Sequence, residues 1–299
     1  MAGTPIDLGP PSGDEPLNVL MRGGDPATNS GYEEHPARMG FFTDTSICIG
    51  CKACEVACKE WNEVPDDLVG WAGRSHDNSE GLGANRWRHV SFIEQRKPLG
   101  EQQTNLGGDR DDFRWLMESD VCKHCTHAAC LDACPTGAIF RTEFGTVVVQ
   151  PDICNGCGYC VPACPYGVLD KREDDGRIFK CTLCYDRLGE GQEPACAKAC
   201  PTDSIQFGEL EELRERAGAR VQELHQRGVG EARLYGEDPG DGVGGAGAFF
   251  LLLDEPEVYG LPPDPVVTTR DLPETWKHVG IAAGALLAGV AACFAGTRR

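Results

Sequence analysis

The chain of 299 residues sets 28 Lys and Arg against 47 Asp and Glu, a formal net charge of -19, which argues against a nucleic-acid partner and against docking on anionic lipid. With 38 Gly, 20 Pro and only 7% aromatic residues, it has a modest apolar core for a length that could hold one to three domains. Its 17 cysteines are therefore the first feature to explain.

Residues 1–39 are rich in Gly, Pro, Asp and Ser and show no sustained apolar period. They lack the basic start and apolar run of a secretory signal and have no adjacent arginine pair, so any export is expected to be with a partner. An N-terminal arm is expected here, either a disordered tail or an extended segment on a partner subunit. Gly40 to Thr45 reads as a short strand leading into Cys48, Cys51, Cys54 and Cys58, spaced CxxCxxCxxxC. A helical turn follows at Glu55 to Trp61, whose tryptophan would shield a metal centre or sit in the core. Asp66 to Ala84 reads as loop. Arg86 to Gln95 and Phe113 to Ser119 alternate well enough to be the strands of a long hairpin across the polar, glycine-rich Arg96 to Arg110.

Asp120 to Pro165 organises the chain. It places Cys122, Cys125, Cys130 and Cys134 before Cys154, Cys157, Cys160 and Cys164, and the second group is CxxCxxCxxxCP. In that run three closely spaced thiolates can hold one cubane iron–sulfur cluster, while the fourth, on the following turn, ligates a second cluster. Two such runs make two clusters with exchanged fourth ligands. Between them Ala138 to Arg141 and Thr146 to Val149 flank Gly145 as a small antiparallel hairpin. Downstream come Cys181, Cys184, Cys196 and Cys200, then a strand at Ser204 to Phe207. PTGAI after Cys134, PYGVL after Cys164 and PTDSI after Cys200 mark duplicated units.

Disulfides suit long-loop cross-links better than CxxC in tight loops, and zinc is usually held by two separated CxxC pairs. Three of these quartets are more compressed than that, and three of the four end in CP, so four [4Fe–4S] clusters are the reading preferred over zinc. Such centres would staple a chain whose apo form folds poorly. The fold class expected is α+β, two nested ferredoxin-like modules each holding two [4Fe–4S] clusters, with a C-terminal transmembrane helix. Residues 40–119 and 166–208 form the outer module and residues 120–165 the inserted one. Residues 209–277 are a helix, strand and linker packing region, and 278–297 the transmembrane helix.

Glu209 to Arg227 is expected to be a helix, with Leu210, Leu213, Ala217, Val221 and Leu224 on its apolar face and Glu212 and Arg216 four apart on the wet one. Gly242 to Gly247 matches GxGxxG, but it precedes the apolar strand AFFLLLD instead of following a strand and opening a helix, so nucleotide binding is rejected. Val279 to Gly296 carries no charge over eighteen residues, with Trp276 and Lys277 before it and Arg298 and Arg299 after it. A membrane span is favoured over a buried core helix; Gly280 and Gly284 form GxxxG, and Cys293 counts as a small apolar residue. Arg298 and Arg299 on the cytoplasmic side would put the cluster domain on the outer face; Lys277 and Arg270 at the other end leave the cytoplasmic face as the alternative.

GFFTDTSICIGCKACEVACKEWN from Gly40 to Asn62, the four quartets in this order, KCTLCYDRLGEGQEPACAKACPTDSIQFG from Lys180 to Gly208 and the single terminal span together resemble the beta, iron–sulfur subunit of membrane-bound respiratory formate dehydrogenases. Related subunits serve nitrate reductase, dimethyl sulfoxide reductase and a membrane-bound hydrogenase. The nitrate reductase type usually has tryptophan for one cysteine, which this chain does not; the hydrogenase remains the alternative. The resemblance implies that Cys48, Cys51, Cys54 and Cys200 hold one cluster and Cys58, Cys181, Cys184 and Cys196 a second. Cys122, Cys125, Cys130 and Cys164 would hold a third, and Cys134, Cys154, Cys157 and Cys160 the fourth. It also implies a catalytic alpha subunit with a molybdenum or tungsten pterin, a gamma subunit that is a membrane cytochrome b reducing quinone, and a place in a prokaryotic cell membrane. The chain itself shows no catalytic constellation and reads as a non-catalytic electron-transfer subunit. His124 and His127 are surplus to four cysteines and are expected to face solvent or to hydrogen-bond to sulfur. Glycine-containing loops such as Gly156 to Gly158 would let backbone amides approach the sulfides.

Overall fold

The structure, a computed structural model, describes residues 25–66, 73, 76–95 and 114–296. It divides into a compact unit from Asp25 to Arg270 and a second unit of the chain ends, described from Asp271. In chain order the elements are β1 (Met39–Asp44), α1 (Ala53–Trp61), β2 (Arg88–Gln95), β3 (Arg114–Val121), α2 (Ala129–Asp132), β4 (Ile139–Arg141), β5 (Val147–Val149) and α3 (Cys160–Ala163). There follow β6 (Asp170–Lys171), β7 (Ile178–Phe179), α4 (Tyr185–Gly189), α5 (Ala195–Lys198), β8 (Ile205–Glu209), α6 (Leu210–Gln226), β9 (Arg233–Tyr235), β10 (Ala248–Leu252) and α7 (Leu272–Gly296).

One four-stranded sheet, in the order β8-β1-β10-β9, carries the larger unit. Ala248 to Leu252 is an unbroken apolar run and every residue of it is buried, as a strand covered on both faces requires. It pairs parallel with β1, which places Phe42 beside Phe249 with their rings stacked at 5.3 Å. α6 covers the sheet with Leu210, Leu213, Ala217 and Leu224 buried and Val221 half-buried at the margin. On its wet face Arg216 does not pair with Glu212 but donates to Gln206 at 2.9 Å. Arg220 reaches the buried carboxylate of Asp44 at 2.9 Å, and Asp44 also accepts from the Ser46 amide. That clamp fixes the end of β1 just where the first cysteine loop begins. Residues 209–270 are thus not a packing layer added to the outer module: β9 and β10 complete the sheet that β1 and β8 begin.

The hairpins of the larger unit are β2 with β3, β4 with β5, and β6 with β7. The first runs in register from Gln95 opposite Arg114 down to Arg88 opposite Val121, so its base ends at Cys122. The Arg96 to Arg110 connection lies outside the described residues. From Asp25 on, the N-terminal arm belongs to the larger unit: the Arg38 guanidinium donates to Thr126 at 2.8 Å and to the His124 carbonyl at 3.1 Å. Trp61 does not lie in the core. It is 43% exposed, donates to Asp186 at 2.7 Å and stacks on Arg187, tying α1 to α4 across the surface.

α7 is a single helix of 25 residues. Its segment Glu274–Phe294 has mean hydropathy 1.6 over its most apolar window and none of that window is buried. At 1.5 Å per residue its 21 residues span about 31 Å, against a hydrocarbon thickness of about 30 Å. Arg298 and Arg299 lie outside the described residues.

Candidate metal centres

Two pairs of helices beside the cysteine loops lie together: α1 against α5, and α2 against α3. α1 carries Cys54 and Cys58 one turn apart, so the two can serve neighbouring sites. Cys48, Cys51 and Cys54 meet Cys200, from beyond α5, around one cavity of about 20 Å³. Cys122, Cys125 and Cys130 meet Cys164, from beyond α3, around another of about 20 Å³. The other two groups are apparent in how thiols perturb one another. Burial first, then Cys181, Cys196 and Cys184, push the Cys58 thiol well up. Burial, then Cys134, Cys154 and Cys157, push Cys160 up to about 11. Each of these groups therefore joins cysteines from separate stretches of the chain.

The sets also form a row. Cys54 of the first is raised by burial and, among other causes, by Cys196 of the second; Cys181 of the second by burial and Cys122 of the third; Cys130 of the third, to about 12, by burial and, among its neighbours, Cys160 of the fourth. The second set is wholly buried, whereas Cys51 in the first and Cys157 in the fourth are exposed. Ile49, 58% exposed, flanks the first, and Tyr159, 65% exposed, flanks the fourth. The chain leaves this unit beside the third and fourth sets, where Thr269 bonds Asp132, which stands between Cys130 and Cys134.

Sulfur has local partners throughout. Ser119 Oγ lies 3.2 Å from Cys54 Sγ, the Leu183 amide donates to Cys181 Sγ at 3.3 Å, and Asn62 Nδ2 lies 3.7 and 3.8 Å from the sulfurs of Cys58 and Cys184. Thr136 and Thr202 are 3.6 and 3.8 Å from Cys134 and Cys200, equivalent positions of the duplicated PTGAI and PTDSI segments. Buried cations also approach, which spacing arguments missed. Arg88 is 3% exposed, and Lys180 and Lys123 are each 1% exposed. Lys180 donates to the carbonyls of Val147 and Cys181, and Lys123 lies against Tyr166 and Phe250. Lysine inside the CKHC and KC motifs was the available signal.

One histidine expectation is corrected. His124 is buried, with Nδ1 accepting from the Val147 amide at 3.1 Å, because the Cys122 to Cys125 loop folds down onto β5. It neither faces solvent nor bonds sulfur, and burial holds it well below the usual imidazole range. His127 donates its amide to the Val243 carbonyl at 2.8 Å, and Thr126 bonds Gly245. The GVGGAG stretch is thus a backbone strap on the third set's loop; Gly244, at φ +74, lies where a Cβ would come within 2.4 Å of the His127 ring. Gly156, at φ +69, would put a Cβ 2.0 Å from the Gly176 carbonyl, so this loop packs against the β6–β7 turn.

Do the residues fit the implied clusters? A bare tetrahedral zinc with bonds of roughly 2.3 Å needs its sulfurs packed closely. Among the described residues no three His, Cys, Asp or Glu side chains converge to grip one ion, whereas four cysteines line each of two cavities. A rigid polynuclear group bridging four separated thiols suits that arrangement. The raised thiol pKa values have the matching sense: iron would take the place of protons that burial and neighbouring thiolates hold on sulfur.

A 4Fe-4S dicluster domain model matches residues 47–138, and a second with the same description matches residues 113–210. A formate dehydrogenase iron-sulfur subunit of Haemophilus influenzae is 42% identical over 251 residues, 82% of this chain and 75% of the relative. The nitrate-inducible formate dehydrogenase iron-sulfur subunit of Escherichia coli is 41% identical over 271 residues, covering 89% and 85%. One subunit of the Escherichia coli anaerobic dimethyl sulfoxide reductase is 37% identical over 181 residues, 60% of this chain and 77% of its own length. With its cysteine loops inside both dicluster matches and about two-fifths identity along most of its length, the chain belongs to the iron–sulfur, electron-transfer subunits of formate dehydrogenases.

Proposed function

We propose that this chain carries electrons from a molybdenum- or tungsten-pterin catalytic alpha subunit to a membrane cytochrome b gamma subunit and quinone through four [4Fe–4S] clusters. The observation that carries the reading is the row of four cysteine sets, the second wholly buried and the first and fourth each with an exposed cysteine. Cys48, Cys51, Cys54 and Cys200 hold the first cluster; Cys58, Cys181, Cys184 and Cys196 the second. Cys122, Cys125, Cys130 and Cys164 hold the third; Cys134, Cys154, Cys157 and Cys160 the fourth. When bound, these groups supply one-electron chemistry at fixed positions. The protein's part is to hold them in order, to exclude water from the second and to set their potentials through hydrogen bonds and burial.

The nested domain division follows from the same assignment, with residues 120–165 holding the third and fourth clusters inside an outer module that holds the first and second. α7 anchors the chain in the lipid bilayer of a prokaryotic cell as a single span, with the cluster unit on the outer face.

The test is stepwise reduction. Dithionite should reduce the purified chain while formate should not; adding the pterin subunit should let formate bleach all four clusters, and adding the cytochrome should extend the path to quinone. Reduction by formate of the chain alone would end this reading. A chain stopped at Lys277 should keep its clusters and leave the membrane fraction when expressed without partners.

A further inference from the structure

Arg88 stands where the first two cysteine sets meet. It opens β2 opposite Val121 at the base of the β2–β3 hairpin, and it is 3% exposed. Nη1 donates to the Ser119 carbonyl at 3.0 Å and to Ser119 Oγ at 2.9 Å. The same hydroxyl lies 3.2 Å from Cys54 Sγ of the first set. Cys58 of the second set lines one cavity with Arg88. Nε and Nη2 are buried without a hydrogen-bond partner among the described residues. No carboxylate pairs with Arg88 in any ion pair of the described residues. A buried guanidinium left with unused donors is costly unless an anion completes its surroundings. The groups at hand are cysteine sulfurs of both sets: Cys54 is reached through the shared Ser119 hydroxyl, and Cys58 lines the same cavity.

Resting on the four-cluster reading, we infer that Arg88 is a shared counter-cation, placed between the first and second clusters to raise the reduction potentials of both. Each cluster gains a negative charge on reduction, and a fixed buried cation stabilises the reduced form more than the oxidised one. Ser119 is its positioning residue, holding the fork and touching Cys54.

The test is a redox titration of the assembled complex followed by paramagnetic resonance, with signals assigned through single-ligand variants of each cluster. In Arg88→Met the reduced-to-oxidised ratio of the first and second clusters at a fixed potential should fall at least about tenfold, a downward shift of about 59 mV for a one-electron couple. The third and fourth should not move. Arg88→Lys should restore most of the shift, which a merely structural role would not predict. Iron analysis separates failure of this inference from failure of the cluster reading, since fewer than four clusters in the parent chain overturns the latter alone. If Arg88→Met does not assemble, Arg88→Gln and Ser119→Ala decide: a smaller downward shift at the first and second clusters supports the role, and unchanged potentials in both overturn it. Equal shifts at all four clusters would likewise overturn it.

Discussion

The inner pair of cysteine sets and the outer pair obey one rule over different stretches of chain. In the inner pair, α2 and α3 exchange Cys134 and Cys164 within the short segment from Cys122 to Cys164, with only the β4–β5 hairpin between them. In the outer pair, α1 and α5 exchange Cys58 and Cys200 across more than a hundred residues, and it is the sheet of β8, β1 and β10 that brings them together. Local spacing suffices for the first arrangement, because loop closure over so few residues is cheap in entropy. The second depends on the hydrophobic core, and damage to that core should reach the outer clusters first.

The largest expected effect comes from crossing the exchange. Cys58→Ala should remove the cluster whose other ligands are Cys181, Cys184 and Cys196, sparing the one held by Cys48, Cys51 and Cys54. Paramagnetic resonance of the reduced variant reads which signal is lost; loss of its sequence neighbours' cluster instead would break the comparison. Leu213→Ala empties a position 1% exposed between α6 and the sheet and should cost about 2–5 kcal/mol. Limited chelator treatment of that variant should strip the outer clusters before the inner ones. Gly156→Ala acts on the inner pair alone: a Cβ at φ +69 and 2.0 Å from the Gly176 carbonyl should cost about 1–3 kcal/mol and accelerate loss of the fourth cluster.

The smallest effect is a gain. Glu118 on β3 is fully buried with neither oxygen hydrogen-bonded, and burial, then Asp120, push its carboxyl well above the usual range. A folded-state pKa above the unfolded value of about 4.3 means that the folded chain holds this proton more tightly, so stability falls as pH rises from there. Glu118→Gln should raise the apparent unfolding temperature at pH 7 by about 2–4 °C. The advantage should vanish below about pH 4, a profile that thermal scans across pH would check.

How far the chain could be read before folding differs between the same two regions. The strands of the β2–β3 hairpin, the β4–β5 hairpin and α6 were all legible, because alternation, a glycine turn and a 3.6-residue period are local signals. β6, β7 and β9 were not, being two or three residues long. His124 was misplaced because exposure depends on what another segment brings against a side chain. Arg88 read as one charge in an alternating strand, and only the hairpin's register carries it to the junction of two cysteine sets.

By itself the sequence determined the chemistry: four cysteine runs whose spacing suits iron–sulfur clusters, duplicated segments after three of them, and a terminal apolar helix long enough to cross a bilayer. Ligand spacing is imposed by the geometry of the bound group and so is written locally. The tertiary structure alone decided which sets adjoin, which ends of the row meet solvent, that β10 inserts parallel beside β1, and that a buried cation sits between two sets. These are contacts between segments far apart in the chain, selected by apolar burial and close packing rather than by any local period.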